Sequence, residues 1–192
     1  VGLNSDLVVG QTPLDEEALN GLLIPTITLS KELDQFERLN IEKAIQWTLH
    51  GRLKKEDILT EAFVKRLHEK MYGDVWSWAG KFRKTNTNIG VNWHIIPIEL
   101  RQLLDDCSWW VSHGTYPPDE LAVRLKHRLV SIHCFPNGNG RHSRLMADLL
   151  AEKVLGRPVF SWGNGDNRQL YIQGVKAADL GNIETLLSFA RS

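Results

Sequence analysis

His133-Cys134-Phe135-Pro136-Asn137-Gly138-Asn139-Gly140-Arg141-His142-Ser143-Arg144 is the stretch that decides how this chain is read. Its Asn-Gly-Asn-Gly run can take positive φ at alternate positions and turn successive backbone N–H groups inward, forming a nest for an anion. The pattern predicts a helix from Arg141 to Val154, broken by Gly156-Arg157-Pro158. Its unpaired N–H groups and positive dipole end would face the same point. Arg141 and Arg144, three residues apart, share a helix face and can both grasp the anion. The preceding helix ends at His133, which would hold its imidazole over the nest. This describes a polyphosphate site with an adjacent general base. It is not a P-loop, because no Gly-Lys-Ser/Thr follows, and it is not a dinucleotide fingerprint.

Around this stretch the charge is uneven. Lys plus Arg and Asp plus Glu each number 23 in 192 residues, so the net charge is zero. Yet residues 121–147 hold five basic and no acidic side chains, leaving 18 basic against 23 acidic elsewhere. A local positive pocket in a mildly acidic body fits a bound polyphosphate. It does not fit a protein that coats nucleic acid or an anionic membrane by bulk charge, so neither is expected as a partner. Two cysteines, Cys107 and Cys134, are too few for a disulfide framework. Their spacing to His113, His127, His133 and His142 matches no zinc ligand set. A reducing, cytoplasmic setting is the simpler expectation, since no apolar run reaches the length of a spanning helix and Val1 to Gly10 lacks a signal-peptide pattern.

Periodicity predicts a mainly helical domain. Residues 1–27 read as loop, with Thr12-Pro13-Leu14-Asp15 as a cap and first turn. From Ser30 to Gly51, Leu33, Phe36, Leu39 or Asn40, Ala44 and Trp47 recur at helical spacing. Further helices are expected over Asp57 to Met71, Ile98 to His113, from Pro118 to about Ile132, Asn167 to Ala178 and Asn182 to Ala190. Leu121, Leu125, Leu129 and Ile132 give the third of these its stripe. Thr85-Asn86-Thr87-Asn88-Ile89-Gly90-Val91-Asn92 alternates β-branched residues with turn formers and predicts a short hairpin. His127 is expected on a helix surface, and His142 facing solvent or the phosphates.

The twelve-residue stretch resembles the signature of the Fic/Doc superfamily, His-x-Phe-x-Asp/Asn-Gly-Asn-Gly-Arg-x-x-Arg, at every constrained position. Trp78-Ala79-Gly80-Lys81-Phe82-Arg83 and the following hairpin are similar to the family's flap. Arg168-x-x-Tyr171, Ala177/Ala178, Gly181-Asn182 and Leu186/Phe189 resemble its C-terminal helices. From about residue 20 the chain is similar to the group called mobile mystery protein B. The resemblance implies a mainly α, Fic-like helical bundle with a small β-hairpin flap. It also implies an N-terminal segment at 1–27, one domain at 28–192, the signature loop at 133–144 and the flap at about 83–97.

It further implies a protein adenylyltransferase that moves AMP from ATP onto a Ser, Thr or Tyr hydroxyl of a target protein. His133 would be the base, with an imidazole pKa near ~6.5. Gly138, Asn139 and Gly140 would cradle the phosphates, with Arg141 on the β-phosphate and Arg144 on the γ-phosphate. Asn137 stands where many members have a Mg²⁺-binding acid, so any Mg²⁺ would be held weakly there and mainly through the phosphates. A Doc-type kinase would usually carry Lys where Gly140 stands, which favours nucleotidyl transfer. Thr85, Asn86, Thr87, Asn88, Ile89 and Gly90 would dock an extended target segment by strand addition.

Many members restrain themselves with a Ser/Thr-x-x-x-Glu-Gly/Asn helix. Thr12 to Glu16 and Thr28 to Glu32 carry the first half of that pattern, and Glu32 is the better inhibitory candidate, aimed at Arg144. Automodification and an antitoxin-like regulator are the associated partner expectations. The alternatives are a catalytically weak nucleotide-binding or partner-binding module on the same fold, and transfer of a different phosphate-linked group.

Overall fold

Thr60 explains why the expected 57–71 helix is broken. The computed structural model of the protein describes residues 20–26, 30–165 and 168–192. In it the Thr60 hydroxyl accepts the Phe63 N–H at 3.2 Å and caps a helix that starts afresh. Two elements result, α2 at Lys55–Ile58 and α3 at Glu61–Tyr72, after α1 at Ser30–His50. A side-chain cap satisfies one orphan donor that the helix itself cannot.

The remaining helices lie close to expectation. α4 spans Ile96–His113, with proline in its first turn and Gly114 in the left-handed region donating to Trp110 O. α5 is Pro118–Ile132, and α6 is Asn139–Leu149 continued by one π turn at Leu150–Val154. α7 covers Arg168–Asp179 and α8 Glu184–Arg191. The turn expected at Thr12-Pro13 lies outside the described residues.

α5 is the central helix, packed against α4, α6 and α8, while α1 lies on α3 and α3 reaches α6. Its buried positions run beyond the expected stripe to Ala122, Val123 and Lys126. Burying each Leu or Ile there contributes roughly 1.5–3 kcal/mol.

On α1 Leu33 and Ala44 are buried as periodicity predicts, and of Leu39 and Asn40 it is Asn40 that turns inward, but Phe36 gives way to its neighbour. Phe36 and Leu39 are exposed, whereas Glu37 and Asn40 are buried. The reason is polar. The Asn40 amide donates to Lys70 O at 3.0 Å and accepts from Asp74 N–H at 2.9 Å. Glu37 accepts from the Trp76 indole N–H at 2.8 Å. Those bonds outweigh the exposure of two apolar side chains that a pattern of apolar residues would have buried.

The expected hairpin does not form. Residues 84–92 are irregular, and among the described residues the one β-bridge joins Leu22 to Trp76. An isolated two-stranded hairpin is marginal in water. Here the backbone N–H groups of the two arms bond to residues 132–134 instead of forming a strand ladder: Arg83 N–H to Cys134 O at 3.0 Å and Val91 N–H to Ile132 O at 3.3 Å.

Thr60→Ala should cost about 1 kcal/mol of unfolding free energy, and Thr60→Ser far less, as read by urea denaturation.

Candidate active site

α5 ends on His133, whose φ of +57° turns the chain sharply out of the helix. That conformation is costly for a side-chain-bearing residue, of order 1–2 kcal/mol, and neighbouring structure must enforce it. Arg83 does so. Its Nε donates to His133 O at 2.6 Å, Nη1 to Thr85 O at 2.8 Å, and Nη2 to the carbonyls of Val91 and Ile132. One buried guanidinium thus joins both ends of the 83–91 loop to the end of α5. Gly90 closes against the same point: a Cβ there would lie 2.6 Å from the His133 Cβ.

Burial, with Arg83 nearby, pushes the His133 imidazole down to about 4, and a hydrogen bond to the Val130 carbonyl opposes this. The ordinary histidine value expected from sequence therefore gives way to a ring that is neutral throughout the physiological range. The residue is 4% exposed.

The signature loop is closed from within. Asn139 Oδ1 accepts from Phe135 N–H at 2.9 Å, and its Nδ2 donates to Phe135 O at 2.7 Å. Its side chain is therefore committed to the loop, and only its backbone can face an anion. Asn137 Oδ1 accepts from Gly138 N–H at 2.7 Å. The fully buried Phe135 ring stacks on His68 at 3.7 Å.

His68 is itself a brace. Its Nδ1 accepts from Gly80 N–H at 3.0 Å, so its Nε2 carries the proton given to Asn137 O, also at 3.0 Å. Burial, then His142, lowers His68 well below the usual range. His142 does not face solvent or phosphate. It is buried with Nε2 against Val64 O at 3.0 Å, and burial pushes it down to about 4. His127 is likewise more than a surface residue, since it bonds Asp179 on α7 at 2.7 Å.

Gly138 meets two demands at once. Its φ is +77°, and a Cβ would strike the Tyr72 ring at 2.5 Å. As N-cap of α6 it brings no side chain, and no described side chain caps that helix. The first N–H groups of α6 are left to a ligand.

The two motif arginines rest on different partners. Arg141 pairs with the 3% exposed Glu37 at 2.5 Å and lies 5.3 Å from the Tyr72 ring centre. Its own side chain remains 42% exposed. Arg144 lies 4.5 Å from the Tyr171 ring centre. The carboxylate seen on a motif arginine is thus Glu37 on Arg141, while Glu32 is exposed in the first turn of α1. Sequence reasoning missed Glu37 because its partner stands 104 positions away. Its only signal was an acid one turn from Leu33 on the same helix.

Residues 58–151 match the family model described as Fic/DOC family. Through this stretch the chain is similar to the Fic/DOC family. It is 26% identical over 164 residues to a protein named protein adenylyltransferase Fic from Aedes aegypti, covering 83% of this chain and 32% of that one. The chain spans about a third of the length of that relative. Among solved structures it resembles Fic-1 of Caenorhabditis elegans, with TM-score 0.70, 23% identity and coverage of 88% and 50% of the two chains. It also resembles the BepC effector of Bartonella tribocorum with bound AMPPNP, with TM-score 0.68, 16% identity and coverage of 92% and 97%. Those likenesses agree with the helical fold. Among the described residues no helix is long and apolar enough to cross a membrane.

Two measurements check this site. Between pH 6.5 and about 4 the unfolded chain protonates imidazoles that the folded chain keeps neutral, so stability falls as pH drops through that window. The melting temperature should decline on acidification, and the ring resonances of His133 and His142 should stay unmoved from pH 8 to about 5.5. Gly138→Ala should lose at least about 1 kcal/mol of stability, because it combines left-handed strain with a collision on Tyr72.

Proposed function

We propose that the chain is a protein adenylyltransferase, moving AMP from ATP to a hydroxyl side chain of a target protein. The observation that carries this is a neutral, nearly buried His133 imidazole in the loop that leads to the uncapped start of α6 at Gly138. The adenylyltransferase name of the relative and the AMPPNP carried by the BepC structure support it.

In this reading His133 takes the proton of the incoming hydroxyl, whose oxygen attacks the α-phosphorus. The bond between that phosphorus and the bridging oxygen to the β-phosphate breaks, and pyrophosphate leaves with the electron pair. A neutral imidazole keeps one ring nitrogen without a proton, and that nitrogen is the acceptor. Backbone N–H groups of Asn139, Gly140 and Arg141 stabilise charge that develops on the phosphates. Arg141 meets the β-phosphate with the exposed part of its guanidinium, while Glu37 fixes its direction. Arg144 serves the γ-phosphate.

No cluster of three His, Cys, Asp or Glu side chains suited to a metal occurs among the described residues, and Asn137 Oδ1 is engaged by Gly138. The protein's donor set does not fit a resident cation. Mg²⁺ enters only as the companion of the nucleotide's phosphates.

Residues 85–90 are the docking edge for the target segment, with residues 28–192 as the catalytic unit. Arg83 steadies both arms of that loop, while Thr87 Oγ donates to Ile89 O at 2.5 Å and Asn86 Oδ1 accepts from Trp93 N–H at 3.1 Å. Automodification, an antitoxin-like regulator and a cytoplasmic site of action belong to the same reading.

The second reading is a nucleotide-binding module with weak catalysis, favoured by the neutral Asn137. Incubation with α-labelled ATP and Mg²⁺ separates the two. Label on protein that vanishes with His133→Ala supports transfer; thermal stabilisation by ATP without label supports the module. Because His133 stays deprotonated down to about 4, transfer should hold its rate from pH 8 to about 5.5 and fall only below that. Glu32→Gly should raise automodification. An unchanged rate would remove Glu32 as the restraint and leave Glu37 as the carboxylate to test.

A further inference from the structure

Lys126 is a lysine with no exposed surface in the middle of the central helix. Burying an ammonium group costs several kcal/mol unless partners compensate. No described carboxylate hydrogen-bonds it. Instead its Nζ donates to the Tyr171 hydroxyl at 2.8 Å and lies 4.2 Å from the centre of that ring. The Arg144 guanidinium stands 4.5 Å from the same ring centre, and no described residue gives its buried Nε a hydrogen-bond partner.

Two cations therefore flank one phenol, an arrangement that repels itself until an anion arrives. The place where an anion would arrive is adjacent. The Tyr171 hydroxyl lies 3.8 Å from where a Gly140 Cβ would be, in the first turn of α6. Three helices thus bring Lys126, Arg144 and Tyr171 to the edge of the nest.

The geometry points to Lys126 as a positioning residue for polyphosphate binding: it holds the Tyr171 hydroxyl against Gly140, sets Arg144 across the ring, and adds a positive charge that a bound anion would favour. This rests on the nucleotide-binding part of the function proposed above. A purely structural side chain at this place would be better as methionine, which fills similar space with no charge to bury.

The charges facing Lys126 give the sign of a pH effect. Burial first, and then Arg144 on α6, lower its affinity for protons; Asp179 on α7, itself bonded to His127, raises it. An anion in the nest favours the protonated amine. Binding therefore strengthens as pH falls through the lysine's range.

The test is calorimetric titration of the full chain with AMPPNP and with pyrophosphate between pH 7 and 9, for wild type, Lys126→Met, Tyr171→Phe and the double variant. Lys126→Met should melt no lower than wild type without ligand, yet bind both probes about ten-fold more weakly, the scale of one hydrogen bond to a charged group. It should also lose part of the pH slope. Tyr171→Phe should weaken binding comparably, and the double variant should be little worse than either, because both act through one contact. If Lys126→Met is folded and keeps wild-type affinity and pH slope, the inference is wrong. If Lys126→Met does not fold, Tyr171→Phe with wild-type affinity and slope overturns it equally. Wild type that binds neither probe overturns the nucleotide-binding reading as well.

Discussion

Two hydrogen bonds between the Asn139 amide and the Phe135 backbone hold together the turn on which the site depends. Between them the chain has to end α5, reverse, and begin α6 with its N–H groups pointing outward. Three residues inside one side-chain clamp leave little freedom, which is what a preorganised anion site requires. The clamp works only because Phe135 is buried beneath it, stacked on His68, which in turn holds the Asn137 carbonyl. Tyr72 supports the turn from below and forces glycine at position 138.

A second set of restraints acts on the base. Arg83 has four carbonyl partners and spends its charge on geometry: it holds both arms of the 83–91 loop and the strained backbone of His133. The same guanidinium lies close enough to disfavour a protonated imidazole. The position of His133 and part of its lowered proton affinity, which burial contributes first, therefore share Arg83 as a source, and a substitution there would disturb both.

The charge unevenness seen along the chain acquires a shape. Arg124 and Arg128 are answered by Glu120 and Asp106, so two of the five cations between 121 and 147 are neutralised locally. Arg141 is half answered by Glu37. Lys126 and Arg144 have no carboxylate in an ion pair among the described residues, and both border Gly140 by way of Tyr171. The excess positive charge is thus concentrated on one side of the nest.

By itself the sequence determined the helices and the loop, because both are local. Leu121, Leu125, Leu129 and Ile132 specify α5 through spacing, Gly51 and Gly114 mark helix ends, and Asn-Gly-Asn-Gly before Arg141 announces the anion nest. Tertiary structure decided what those groups meet. The hairpin expected at 85–92 gave way to a loop bonded to residues 132–134, since a lone pair of strands has too little to bury. On α1, Trp76 and Arg141 bonding Glu37 turned that residue inward in place of Phe36. The lowered affinity of His133 for protons came from burial and from Arg83 fifty positions earlier. Burial and long-range pairing are sums over distant segments, so no window along the chain contains them.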